Sequence, residues 1–215
     1  MRQFVIGLTA LVLGLATLPA GAQQARPVSI VALGDSLTAG YGLGPADAFP
    51  VRLQAALKAK GLDVTVQNAG VSGDTSSGGL ERLDWAVGEG VDAVILELGA
   101  NDALRGIDPA VTRRNLDTII TRLKEKRIAV LLTGMLAPPN MGGPFAAAFN
   151  PIFPELAAKH GVLFDPFFLD GVAADASLNL SDGMHPNAKG VDVIVRRILP
   201  KVEELIAEVR SRRGG

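Results

Sequence analysis

Five apolar runs recur along this chain, each followed by glycine-rich or amphipathic sequence, and this alternation narrows the possible folds more than any other feature. The runs are Val28–Leu33, Val64–Gln67, Ala93–Leu98, Ile128–Thr133 and Val162–Phe164. They are apolar along their length rather than at every second residue, as expected of strands buried on both faces of a parallel sheet. Between them, helical patterns cover Ala46–Lys60 (ended by Gly61), Ser77–Val87, Pro109–Lys126 and Phe145–Lys159. Asp108 stands where it can cap the third of these, with Pro109 in its first turn. A last helix is expected over Pro186–Val209, with Val191, Ile194, Val195, Ile198, Val202 and Leu205 at helical spacing. Strands alternating with helices, joined by right-handed crossovers, give an α/β protein. The expected architecture is a three-layer α/β/α sandwich on a five-stranded parallel sheet.

The ends of the chain read differently. Residues 1–22 have the pattern of a secretory signal peptide: a basic start at Arg2, an apolar stretch from Phe4 to Leu18, and the small residues Ala20-Gly21-Ala22. The apolar stretch is shorter than the ~20 residues a membrane-spanning helix needs. Cleavage is expected after Ala22, which makes the mature protein periplasmic or secreted with no stable membrane span. Residues 23–27 form a linker, 28–209 a single domain, and 210–215 a flexible basic tail, frayed and solvated. There is no cysteine, which excludes disulfides, thiolate metal sites, cysteine nucleophiles and a lipoprotein anchor. A formal charge of −1, scattered along the chain, provides no footprint for nucleic acid.

In doubly wound sheets, sites form at the carboxyl ends of the strands. Four polar or glycine-rich loops satisfy that condition. Gly34-Asp35-Ser36-Leu37 follows the first strand, Asn68 to Thr75 the second and Gly99-Ala100-Asn101-Asp102 the third, while Asp182-Gly183-Met184-His185-Pro186 precedes the last helix. Each has a bland reading by itself. Asp35 and Ser36 suit a turn with a helix cap, and Asn101-Asp102 suits a turn. Asp182 and His185 suit a metal, but no second histidine motif or carboxylate cluster accompanies them. No phosphate-loop pattern is present. His160, between Lys159 and Gly161, reads as a helix C-terminal residue without chemistry.

Together the loops supply a serine, a histidine and an aspartate, the set in which a base takes the serine proton and a third group orients the base. The chain here resembles the GDSL or SGNH hydrolase superfamily. Its four blocks are matched in order by Gly34-Asp35-Ser36-Leu37, the glycine of Ser72-Gly73-Asp74, the asparagine of Gly99-Ala100-Asn101-Asp102, and Asp182-x-x-His185-Pro186. It is most similar to the exported bacterial thioesterase, lysophospholipase and arylesterase group, although Ala100 stands where that group often has glycine. The resemblance implies a flavodoxin-like fold and hydrolysis of carboxyl esters and thioesters through an acyl-enzyme. It also implies Ser36 as nucleophile, His185 as base, Asp182 as orienter, and an oxyanion hole from the N–H groups of Ser36 and Gly73 with the Asn101 amide. Neither metal nor cofactor is expected. Because a histidine base must be neutral, activity should rise with pH.

Apolar residues at the rim suggest where an acyl group lies: Leu104, Leu136, Pro138, Met141, Phe145 and Met184. The expected partners are small ester, thioester or lysophospholipid substrates, and the expected state is monomeric. A carbohydrate or peptidoglycan O-acetylesterase and an inactive lipid-binding module are the competing readings. The first is disfavoured by the apolar loop 135–145 and by having one Trp and one Tyr for sugar stacking. The second is disfavoured by the intact four blocks.

Overall fold

The computed structural model describes Met1 and residues 26–214. The expected signal peptide and its cleavage point lie outside the described residues. Five strands form: β1 (Val28–Gly34), β2 (Val64–Gly70), β3 (Ala93–Glu97), β4 (Ala129–Thr133) and β5 (Leu163–Asp165). They pair in parallel in the order β2-β1-β3-β4-β5. This is the expected doubly wound sheet, and the direction in which successive strands are added reverses between β1 and β3, where such folds open a crevice. Every residue of β3 and β4 is buried. The edge strand β2 departs from the uniform burial expected, with Val64 and Val66 buried and Thr65 and Gln67 exposed. An edge strand has a partner on one side only, and one of its faces is left to solvent.

Nine α-helices occur among the described residues. They are α1 (Ser36–Ala39), α2 (Phe49–Ala59), α3 (Ser76–Glu81), α4 (Leu83–Ala86), α5 (Ala100–Leu104), α6 (Pro109–Glu125), α7 (Gly143–Phe149), α8 (Ile152–His160) and α9 (Ala188–Gly214). Helix α6 starts as expected, with the Asp108 side chain accepting the Ala110 N–H at 2.9 Å.

Two expected helices are broken. The stretch 77–87 divides at Arg82, whose guanidinium turns inward to Asp74 and to the Gly34 carbonyl. The stretch 145–159 divides at Asn150-Pro151, because proline lacks the N–H a helix interior needs. The short helices α1 and α5 lie inside site loops and have too few turns to show periodicity.

The frayed tail expected over 210–215 does not form in its described part. Helix α9 runs on through Arg213, which donates to the backbone carbonyls of Arg26 (2.8 Å) and Pro27 (3.3 Å) and pairs with Asp92. Arg212 pairs with Glu208 one turn back. The basic residues thus anchor the end of the helix across the amino-terminal edge of the sheet. The apolar stripe of α9, from Val191 to Val209, is buried against that sheet. At ~1.5–3 kcal/mol per large apolar side chain removed from water, this stripe is a principal contribution to stability.

Candidate active site

Strand β1 delivers Ser36. The strand ends at Gly34, where the chain passes too close to its surroundings for a side chain: a β-carbon there would lie 2.7 Å from the Glu97 carbonyl oxygen. Asp35 then caps α1, accepting the Leu37 N–H at 3.0 Å, and Ser36 is the first helical residue. No acceptor among the described residues takes the Ser36 N–H, as expected in a first helical turn.

His185 reaches Ser36 from the far end of the chain. Its Nε2 lies 2.9 Å from Ser36 Oγ, and its Nδ1 lies 2.7 Å from Asp182 Oδ2. The loop that carries it is braced on both sides. The Leu180 N–H donates to the His185 carbonyl at 2.7 Å, and Asn187 caps α9 by accepting the N–H groups of Lys189 and Gly190. Asp182 Oδ1 accepts the backbone N–H groups of Met184 (2.9 Å) and His185 (3.0 Å). These two donors, His185 first, with the imidazole added, hold the Asp182 carboxyl down at about 2. It is an ionised partner for the imidazole throughout the ordinary pH range. The Tyr41 ring covers the imidazole, with centroids 4.6 Å apart.

The loops after β2 and β3 complete the floor. Gly73 has φ +85°, a left-handed conformation that a β-carbon would strain, and its N–H has no acceptor among the described residues. Two arginines clamp this loop. Arg105 donates to the Gly73 carbonyl at 2.7 Å, and Arg82 links Asp74 (2.6 Å) to the Gly34 carbonyl (2.9 Å). Buried Asp102 ties the loop to α6 by accepting the Ser76 N–H (2.7 Å) and the Thr112 hydroxyl (2.9 Å). Beside it, Asn101 donates through Nδ2 to Asp35 Oδ2 at 3.1 Å.

Ser36, His185 and Asp182 are therefore joined by hydrogen bonds, and Asn101 is tied to the residue next to the serine. Gly73 lies on the neighbouring loop. The rim residues behave less uniformly. Leu104, Leu136 and Met184 are each about half exposed. Met141 stands beside Gly106, Pro138 is partly buried, and Phe145 stacks on buried Phe149 with centroids 5.6 Å apart. Two surface clefts, of about 530 and 450 Å³, lie at the opposite, amino-terminal end of the sheet around Val91, Lys126 and Ile128. They have no part in this arrangement. His160 bonds Asp117 at 2.6 Å in the last turn of α8, away from the site.

Sequence reading gave Asp35 only the capping role that it fills, and assigned none to Glu97 or Tyr41. Glu97 had a visible signal: a lone carboxylate closing an otherwise apolar strand. It is fully buried, accepting the Asp35 N–H (3.3 Å) and the Thr38 hydroxyl (2.7 Å). Burial foremost, then the charge of Asp35, pushes its carboxyl well above the usual range. Burial likewise pushes Asp35 up to about 6, against the opposing pull of the Leu37 N–H, the Asn101 amide and the facing His185.

Comparison with known proteins agrees with the geometry. A model of the GDSL-like lipase/acylhydrolase family matches residues 32–193. The arylesterase of Vibrio mimicus is 40% identical over 73% of this chain and 79% of its own length. The thioesterase 1/protease 1/lysophospholipase L1 of Escherichia coli K12 is 34% identical over 83% of this chain and 85% of its own. The crystal structure of TesA superposes with a TM-score of 0.78 at 35% identity, covering 82% of this chain and 99% of that one. With the fold, the strand-end serine and these relatives in agreement, this chain belongs to the GDSL-like lipase/acylhydrolase family and is a hydrolase of the GDSL esterase type.

Proposed function

We propose that the protein cleaves carboxyl esters and thioesters of alkyl, aryl or lysophospholipid type through an acyl-enzyme on Ser36. The observation that carries this reading is the chain of contacts Ser36 Oγ to His185 Nε2 (2.9 Å) and His185 Nδ1 to Asp182 Oδ2 (2.7 Å). Ser36 Oγ attacks the carbonyl carbon while its proton passes to Nε2. The imidazolium so formed is stabilised by ionised Asp182. The tetrahedral oxyanion accepts from the N–H groups of Ser36 and Gly73 and from the Asn101 amide. As the carbonyl re-forms, the alkoxide or thiolate leaves and takes the proton from Nε2. Water, deprotonated by the same nitrogen, then releases the acid and regenerates the serine. Each step is proton transfer and acyl exchange among groups already in contact, and none calls for a metal or cofactor.

The half-exposed Leu104, Leu136 and Met184 support an apolar acyl or aryl group at the rim, with Pro138, Met141 and Phe145 as further candidates for its lining. The basic start, apolar stretch and small-residue site of residues 1–22 support export, with cleavage after Ala22. Among the described residues no helix is long and apolar enough to cross a membrane.

A chain-length series of p-nitrophenyl esters, run beside Ser36→Ala, tests the function. Turnover is expected on butyrate and longer esters, and Ser36→Ala is expected to abolish it. Turnover confined to acetate would indicate an O-acetylesterase instead. Activity surviving in Ser36→Ala would remove the mechanism.

A further inference from the structure

The two buried carboxyls behind the serine have no part in the mechanism above, yet one of them touches it. Asp35 is fully buried and uses its two oxygens separately. Oδ1 accepts the Leu37 N–H at 3.0 Å, and Oδ2 accepts an N–H of the Asn101 amide at 3.1 Å. Beneath it, Glu97 accepts the Asp35 N–H and the Thr38 hydroxyl on Oε2, while its Oε1 is buried with no partner among the described residues. A buried anionic oxygen with no donor is costly, so the deeper carboxyl keeps its proton and the negative charge of the pair resides on Asp35.

A primary amide has a donor end and an acceptor end of nearly the same shape, so something must decide which end faces the reaction. Only the donor end suits Asp35 Oδ2, since the reversed amide would set oxygen against oxygen. We propose that Asp35 is a positioning residue, whose carboxylate holds the Asn101 amide so that its second N–H, and not its carbonyl, is presented to the oxyanion. This deepens the reading given above and rests on Asn101 being an oxyanion donor. The contact also explains why the residue before the serine is an aspartate: a neutral cap such as serine would serve α1 but has one oxygen for two tasks. The groups facing Asp35 are Glu97 from β3, Asp74 from the loop after β2 (itself paired with Arg82), His185 from the last loop, and Asn101 from α5.

The test is a double-mutant cycle on Asp35→Asn and Asn101→Ala with p-nitrophenyl butyrate. An asparagine at 35 keeps one oxygen for the Leu37 N–H and sets an NH₂ against Asn101, which must turn over to meet it. Each single variant is expected to lower kcat by ~10²-fold or more, with KM within about threefold of the parent. The double variant should fall no further than Asn101→Ala alone, because the aspartate acts through the amide. Multiplying losses in the double variant, or near-normal kcat in Asp35→Asn, would overturn the proposal. Near-normal kcat in Asn101→Ala would be a different result, overturning the oxyanion role itself.

A second measurement does not depend on the folding of Asp35→Asn. In ¹⁵N-labelled His185→Ala, which lacks the imidazole titration, the Asn101 side-chain NH₂ signals should move as Asp35 ionises, at a pH above the value near 6 that it has with the lowering charge of His185 in place. Signals unchanged between about pH 4.5 and 9 would show that the amide does not sense the carboxylate, and would overturn the proposal.

Discussion

Gly34 shows how tightly the serine is held. A β-carbon at this position would lie 2.1 Å from Thr38 Oγ1, 2.5 Å from Glu97 Oε2 and 2.7 Å from the Glu97 carbonyl oxygen. The hydroxyl can rotate away, but the carbonyl belongs to β3 and cannot. Gly34→Ala is expected to cost ~1–3 kcal/mol of stability, typical of overpacking, and to lower kcat by displacing Ser36. Urea unfolding beside a kinetic assay checks this, and wild-type values in both would mean β1 and β3 have slack. At this scale the sequence was informative wherever chemistry restricts residue choice. A serine at a strand end and a histidine and aspartate in the loop before the last helix were legible, and so was the glycine at 73, whose φ is +85°. The buried pairing of Glu97 with Asp35 was not, because burial and a neighbouring carboxyl define it, and neither is a property of a short segment. Tyr41 was likewise invisible: its neighbour His185 is distant in sequence, and only folding brings the rings to 4.6 Å.

At the scale of elements, hydrophobic periodicity located every strand and each long helix, and it erred where a single residue interrupts a period. Pro151 and Arg82 each divide a stretch whose apolar spacing continues across the break. The carboxyl end of α9 is the larger correction. Polar composition at a terminus reads as fraying, but Arg213 finds acceptors in Arg26, Pro27 and Asp92, residues more than a hundred positions away. Deleting residues 210–215 is therefore expected to lower stability by ~1–2 kcal/mol, above the yield of an exposed ion pair because backbone carbonyls are also bonded. Turnover should be unaffected, since these contacts lie at the end of the sheet opposite Ser36. A thermal melt of the truncated protein identical to the parent would show that the tail frays after all.

For the whole molecule, the carboxyls divide into two populations that act oppositely on stability. Asp182, held at about 2 by the N–H groups of His185 and Met184, and Asp117, held low chiefly by Lys159, contribute stability that is present above pH 4 and lost below it. Asp35, pushed up to about 6, and Glu97, pushed well above the usual carboxylate range, are easier to bury with their protons on. Their contribution is complete below pH 4 and is lost as pH rises through 6 and beyond. Stability should therefore be greatest between about pH 4 and 6 and decline towards neutrality, with Asp35→Asn flattening the decline. Thermal melts across pH 3–8 test this, and a midpoint climbing steadily to pH 8 would contradict it.

That decline reflects a site maintained at some expense to the fold. Period and apolar content record which faces of an element meet water, so the architecture was already written in the sequence, and residue type alone singled out the serine, histidine and aspartate that the fold brings into contact. It took the folded chain to decide which carboxyls are buried, which end of the Asn101 amide meets Asp35 and where the last helix stops. Those are outcomes of distance and desolvation between segments far apart in the chain, and a linear pattern carries neither.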